Sequence, residues 1–181
     1  MNIFVMRHGL TVWNEKGITQ GRTNNRLSKS GIKKTKQVSI EHKNTPFDLI
    51  ICSPLMRTVQ TANIMNKYHN VKILKDERIT EIDQGIFSKR HKDSLTEREK
   101  LLKNARSKSC NMESYNEVFN RVNAFVSDLR ANFSNHSNIL IVSHACVATM
   151  LEYILTNRQF DINNPETLRN FDNAQIKKFE I

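Results

Sequence analysis

A chain of 181 residues is the size of one domain, long enough to bury about two thirds of the surface its unfolded form would expose. Hydrophobic residues at 38% and charged residues at 25% lie in the range of soluble globular proteins, slightly poor in apolar side chains, and no apolar run approaches the roughly 20 residues of a membrane span. The net charge of +10 would suit a polyanion, but the basic residues are scattered and none of their runs is interleaved with aromatics; nucleic acid is not expected as a partner, while the field would attract phosphorylated substrates.

The chain opens on a β-branched and aromatic run, Ile3 to Met6, that ends in Arg7-His8-Gly9. Such a run before a glycine predicts a buried strand and a tight turn, so Arg7 and His8 fall at the strand's carboxyl end. In an open α/β sheet, ligands bind in the crevice outside those ends. A cation beside an imidazole there suits an anion such as a phosphoryl group, with the histidine either a ligand or an attacking nucleophile. Met1 leads straight into this strand and not into a basic, apolar, cleavable leader, so a cytoplasmic location without a membrane partner is expected.

Thr11 to Arg26 is polar and loop-like, with Gly17 and the step Gln20-Gly21-Arg22. Ser28 reads as the N-cap of a helix from Gly31 to about Lys43, whose thin apolar stripe is Ile32, Val38 and Ile40, and Pro46 stops it. Phe47 to Cys52 (FDLIIC) predicts a second strand. Ser53-Pro54 then supplies a cap and a first-turn proline for a helix that carries Arg57 and ends near Tyr68. It turns Leu55, Val59, Ala62 and Met65, or Met56 and Ile64, toward the sheet.

Val71 to Leu74 predicts a short edge strand, and Asp76 to Ser88 a loop holding Glu81, Asp83 and Gly85. Lys89 to Met112 is strongly charged with few large apolar residues, a loose helix around Leu95 to Leu102 at most. From Ser114 to Phe133 the spacing of Val118, Val122, Phe125, Val126 and Leu129 fits a long amphipathic helix. Asn138 to Val142 (NILIV) is a third strand, ending in Ser143-His144 and leading into a helix from Ala145 to about Leu155. Gln175 to Ile181 alternates as a closing strand that can run antiparallel.

Strand and helix alternate, which predicts an α/β three-layer sandwich with a mostly parallel central sheet and helices on both faces. With no repeat or linker to divide it, residues 1–181 are expected to form a single domain. Three strands each deliver a basic or imidazole side chain just past their carboxyl ends, on one edge of the sheet. From the residues alone, Arg57 reads as a surface helix residue, His144 equally as a packing residue or a ligand, and Gly9 as an ordinary turn glycine. Cys52, Cys110 and Cys146 lack the spacing of a zinc or disulfide framework and are expected as reduced thiols. A tyrosine-phosphatase loop needs one more residue than the four between Cys52 and Arg57. With no metal-binding histidine cluster and no glycine-rich nucleotide loop, neither metal nor cofactor is expected.

RHGLTVWN at 7–14, QGR at 20–22, LSKSG at 27–31, SPLMRTVQTA at 53–62, EIDQGIF at 81–87, ES at 113–114 and VSHA at 142–145 together resemble the histidine phosphatase superfamily, also called the phosphoglycerate mutase-like family. The match runs in family order over nearly the whole chain. The resemblance implies that fold and a metal-independent, histidine acid-type phosphomonoesterase. His8 would be the nucleophile, passing through a phosphohistidine that water hydrolyses. Arg7, Arg57 and His144 would hold the equatorial oxygens, whose spread charge fixed donors stabilise. Helix amino termini after Ser53 and His144 would add positive polarity. Glu81 would be general acid and then base, its pKa raised by desolvation; the alternatives are Asp83 as the acid, or a Glu81 that only pairs with a lysine. Asn14 would be a further polar contact, with Thr11, Gln20 and Gly21 on the substrate side, and Ala145 stands against the substrate where the family has glycine. Further departures are Phe87 and Ser88 for a tryptophan and glycine, Met112 for a glycine, and Asn24 or Asn25 for an aspartate.

The family divides into mutases, which return the phosphoryl group to the substrate, and phosphatases, which give it to water. Mutases that resemble this chain carry a long basic insertion after the acid glutamate, whereas Glu81 to Glu113 is short here, so hydrolysis of small phosphomonoesters is expected. The alternatives are mutase-type transfer and a catalytically weak phospho-ligand binding or regulatory module; a phosphohistidine protein phosphatase would commonly lack the excursion between Ser88 and Phe133. The substrate is expected among small phosphorylated molecules, and oligomeric state, a homodimer included, is left open.

Overall fold

The computed structural model describes residues 1–159 and 170–181. Five strands, β1 (Asn2–Arg7), β2 (Leu49–Cys52), β3 (Ile73–Lys75), β4 (Asn138–Ser143) and β5 (Ile176–Glu180), make one sheet in the order β3-β2-β4-β1-β5. The first four are mutually parallel, and β5 runs antiparallel along β1. Register does the positioning. Arg7 lies opposite Ser143 and Cys52 opposite Val142, so His8, Ser53 and His144 leave the sheet at one level. The ladder continues past the strands, with His8 N–H donating to the Ser143 carbonyl (2.9 Å) and Ser53 N–H to that of Val142 (3.1 Å).

Successive strand residues point to opposite faces, and both faces are covered. Ile3, Val5, Ile51, Ile139 and Ile141 pack under α5 (Tyr115–Asn132) and α6 (Ala145–Leu155), where Val118, Val122, Phe125, Val126 and Leu129 form the expected buried stripe. Phe4, Met6, Ile50, Cys52, Leu140 and Val142 meet α3 (Met56–Met65) through Ala62 and Met65, with Val38 of α2 (Lys29–Glu41) alongside. The chain is thus the expected three-layer α/β sandwich. The edge strand and the closing antiparallel strand both form, the former shifted to Ile73–Lys75. Among the described residues no helix is long and apolar enough to cross a membrane.

Three local expectations are corrected. The polar stretch after Gly9 contains a short helix, α1 (Val12–Glu15), closed by a reciprocal cap between Thr11 and Asn14. Ser53 does not cap α3: the N-cap is Leu55, and the Met56 N–H donates instead to Asn24 Oδ1 at 2.6 Å. The buried face of α2 is not its apolar stripe; Gly31, Thr35 and Ser39 are buried while Ile40 is exposed, and the helix ends well before Pro46. Small residues at four-residue spacing let α2 press backbone to backbone on the turn after His8. Its cap, Ser28, accepts from the Gly31 N–H (3.1 Å) and donates its own N–H to the Leu10 carbonyl (2.9 Å).

That approach is close enough to forbid a side chain. A Cβ on Gly31 would stand 2.0 Å from the Leu10 carbonyl oxygen. Gly31→Ala should therefore destabilise the fold by about 1–3 kcal/mol through overpacking, although alanine gains roughly 1 kcal/mol in helix propensity. Urea denaturation reads the difference; a midpoint unchanged or raised would show that the contact yields freely.

Candidate active site

The His8 ring is 3% exposed, and its Nδ1 lies 2.7 Å from the carbonyl oxygen of Gly9. A carbonyl only accepts, so Nδ1 carries the proton and Nε2 keeps its lone pair. Burial first, then the charges of Arg57 and Arg7, hold the His8 pKa well below the ordinary imidazole value, leaving the ring neutral near pH 7. Gly9 donates its N–H to Thr61 Oγ1 of α3 (3.0 Å), and a Cβ there would meet Thr35 Oγ1 of α2 at 2.3 Å, so it is α2 that crowds the position.

Arg57 issues from the first turn of α3 and is 1% exposed. Its Nε donates to His8 Nε2 (3.3 Å), Nη1 to the Thr23 carbonyl (2.7 Å) and Asn25 Oδ1 (3.3 Å), and Nη2 to the Gly21 carbonyl (2.8 Å). Burial pushes its pKa down to about 10, which still leaves it charged at neutral pH. Arg7 ends β1, lines the same cavity and donates Nη1 to the Phe171 carbonyl (2.8 Å).

His144 is fully buried behind His8, the ring centroids 5.2 Å apart. Its Nε2 lies 2.9 Å from Ser53 Oγ, while Nδ1 is buried without a partner among the described residues. Ser53 Oγ also accepts from the Leu55 N–H (3.4 Å), and a hydroxyl with two lone pairs and one proton can satisfy either tautomer of the ring at Nε2. Burial holds this ring neutral as well. A buried polar nitrogen without a partner costs about 1–3 kcal/mol; His144 itself is not on the cavity wall. Ser53, read from the sequence as a helix cap, thus becomes the partner of a site histidine.

Glu81 lines the cavity with its carboxylate among Arg57, Arg7 and Arg121, and makes no ion pair among the described residues. Burial raises its pKa, against the lowering pull of Arg57, of the Ile82 N–H that it accepts (3.0 Å), and of Arg7 and Arg121. Asp83 is not on the cavity wall; its Oδ1 accepts from the Gly85 N–H (2.8 Å). Ser143 Oγ donates to the Ile79 carbonyl (2.8 Å), drawing the acid loop over the sheet edge.

Asn14, Gln20, Gly21 and Ala145 all line the cavity, whose volume is about 560 Å³. Thr11 does not: it is fully buried, capping α1 and donating to Gln20 Oε1 at 3.1 Å. The amino terminus of α6 opens on the cavity through Ala145 and Cys146, with His144 as an N-cap whose side chain makes no capping hydrogen bond. That of α3 has its first N–H taken by Asn24. The charged excursion does form a helix, α4 (Glu97–Asn104), and brings Lys92, Lys103 and Asn104 to the cavity. Trp13, Ile18 and Tyr115 also line it, three residues not anticipated, although Trp13 sits inside the first motif. Among the described residues no group of three or more His, Cys, Asp or Glu is placed to hold a metal ion.

A neutral imidazole set in a cradle of cations, at the carboxyl edge of a mostly parallel sheet, defines an α/β protein with an anion-binding site. The chain belongs to the histidine phosphatase superfamily (branch 1), whose model matches residues 3–181. It is 34% identical over 153 residues to a probable phosphoglycerate mutase GpmB of Escherichia coli O139:H28 (strain E24377A / ETEC), covering 80% of this chain and 69% of that protein. Its fold is similar to the crystal structure of an alpha-ribazole phosphatase from Shigella flexneri, with a TM-score of 0.87 and 25% identity over 100% of this chain and 91% of that one. It is similar, too, to a mycobacterial glucosyl-3-phosphoglycerate phosphatase solved with VO3, with a TM-score of 0.83 and 20% identity over 98% and 90% of the two chains.

The raised pKa of Glu81 has a sign for stability. A carboxyl whose folded pKa exceeds its unfolded one contributes stability below the unfolded pKa, and loses it as pH rises through the folded pKa. The neutral isostere escapes that loss, so Glu81→Gln should melt above the wild type at about pH 8, with the gap narrowing toward about pH 4. Melting curves at the two pH values decide; a gap that widens on acidification would mean the carboxylate is stabilised by its arginines.

Proposed function

We propose that this chain is a phosphomonoesterase hydrolysing small-molecule phosphomonoesters through a phosphohistidine on His8, as a single domain of residues 1–181 acting in the cytoplasm without metal or cofactor. One observation carries the reading: His8, its Nδ1 proton committed to Gly9, presents Nε2 beside the Arg57 guanidinium at 3.3 Å, in a cavity whose wall also holds Glu81. Nε2 attacks phosphorus, the P–O ester bond breaks, and the leaving oxygen takes the proton of Glu81. Water then attacks the phosphohistidine, yielding its proton to the Glu81 carboxylate, and phosphate departs. Arg7 and Arg57, with His144 behind them, stabilise the oxygens of the transferring group. Asn14, Gln20, Gly21 and Ala145 bound the substrate, and Trp13, Ile18 and Tyr115 give its organic part an apolar wall. The partner in this reading is a small phosphorylated molecule, with neither nucleic acid nor membrane involved.

Phosphoryl transfer between oxygens of one substrate is the second reading, favoured by the name of the 34% identical relative. Against it stands the short segment from Glu81 to Glu113, which folds into its own small cluster of Phe87, Leu95, Cys110 and Met112.

Phosphate release from a chromogenic aryl phosphomonoester should fall by at least about a thousandfold in His8→Ala, well within the cost of removing a nucleophile elsewhere. A quenched reaction should trap phosphate on the wild type in an acid-labile, alkali-stable linkage at residue 8. Full turnover in the variant would refute the covalent step, and conversion of 3-phosphoglycerate with a bisphosphate cofactor at a higher kcat/KM than any hydrolysis would establish the mutase instead.

A further inference from the structure

The motif ES at 113–114 is not used by the chemistry above, yet Glu113 is the most heavily bonded carboxylate near the site. Its Oε1 accepts from Arg121 Nε (2.7 Å) and pairs with Arg22 Nη2 (3.1 Å), while Oε2 accepts from Arg121 Nη2 (3.1 Å) and from the Asp83 N–H (3.1 Å). Burial pushes its pKa up, but the bonds and charge of Arg121, the Asp83 amide and Arg22 outweigh that and keep it ionised.

The two arginines reach on to the acid loop. Arg22 Nε donates to the carbonyl of Glu81 itself (3.3 Å), and Arg121 Nη1 to that of Arg78 (2.5 Å). Arg106 adds a second clamp, giving Nη2 to the carbonyls of both Asp83 and Glu113. On the other side, the residue before Arg22 is Gly21, whose carbonyl receives Arg57. One carboxylate therefore ties the loop of the proton donor to the loop that holds the phosphate-side cation.

From this geometry we infer that Glu113, acting through Arg22 and Asp83, is the positioning residue that holds Glu81 at the leaving-group oxygen. The inference rests on the phosphatase reading above. It makes two demands that a mere staple of the fold does not. First, the carboxylate offsets the charge of Arg121, which itself pulls on the Glu81 proton. Removing the negative charge of Glu113 therefore lowers the pKa of Glu81. Second, a misplaced acid matters only where the departing oxygen needs a proton.

The test compares kcat/KM for phenyl phosphate, a poor leaving group, with that for 2,4-dinitrophenyl phosphate, which departs without protonation. Glu113→Gln should lose roughly tenfold or more on the first, a fraction of the 10²–10⁴ that general acid catalysis contributes, and stay within about twofold on the second. The alkaline limb of its pH profile should move to lower pH. Arg22→Gln, at a largely exposed side chain that leaves the Arg121 anchor in place, should show the same selectivity and covers the case in which Glu113→Gln fails to fold. Equal losses on both substrates in the folded variants, with an unmoved pH profile, would overturn the inference while leaving the phosphatase intact. A wild type that hydrolyses neither ester would remove both.

Discussion

The constraint on which this structure depends is a guanidinium buried without a salt bridge among the described residues. Arg57 is 1% exposed, and among the described residues it has no ion-pair partner; three of its four acceptors are loop oxygens and the fourth is His8. A buried ion costs several kcal/mol even after relaxation, which the loop oxygens and the charge of Glu81 offset in part. The loop from Gly21 to Asn25, a stretch with no regular structure, folds over the cation and supplies those oxygens while Arg22 and Asn24 stay exposed. Burial first, and then the same charge, keep the two neighbouring imidazoles neutral. On the proposed reading, a phosphoryl dianion adds counter-charge to this cation.

Much of this was legible in the chain. Short β-branched runs at Ile3, Leu49 and Ile139 are buried on both faces, which makes them apolar throughout and easy to read as parallel strands. The amphipathic spacing from Val118 to Leu129 marks α5 for the same reason: a long helix on an apolar sheet must show an apolar stripe. The rule fails at α2 because that helix also packs against a turn. What counts there is small size, so Gly31 and Thr35 carry the contact with the turn, Ser39 bonds the Ile64 carbonyl of α3, and Ile40 is left in solvent. Hydrophobic periodicity cannot report a close approach of backbones.

The site divides along a similar line. Residues that follow a strand directly, His8 and His144, are placed by sheet register, and sequence order finds them. Residues that act across a turn, Ser53 on His144, Ser143 on Ile79 and Asn24 on α3, are defined by partners remote in the chain. A serine before a helix looks like a cap whether or not it serves as one. Departures from the family pattern show the same dependence on context. Phe87 and Met112, each standing where a smaller or different residue was expected, are neighbours in one small cluster under the excursion, and so belong to a single local repacking.

Burial acts on the nucleophile and the acid in opposite senses, and this bears on the order of events. It lowers the pKa of His8 and raises that of Glu81, because each is driven toward its uncharged form. In the empty cavity the rise at Glu81 is restrained by Arg57 and Arg7, the two cations that a phosphoryl dianion would engage. Once their charge is spent on the substrate that restraint weakens, and the dianion itself further disfavours the carboxylate. On the proposed reading, binding of the dianion therefore favours the protonated acid when the departing oxygen needs a proton, and the carboxylate left by that transfer is the group to which water returns one. The cations that would hold the phosphoryl group thus also bear on the proton affinity of the acid.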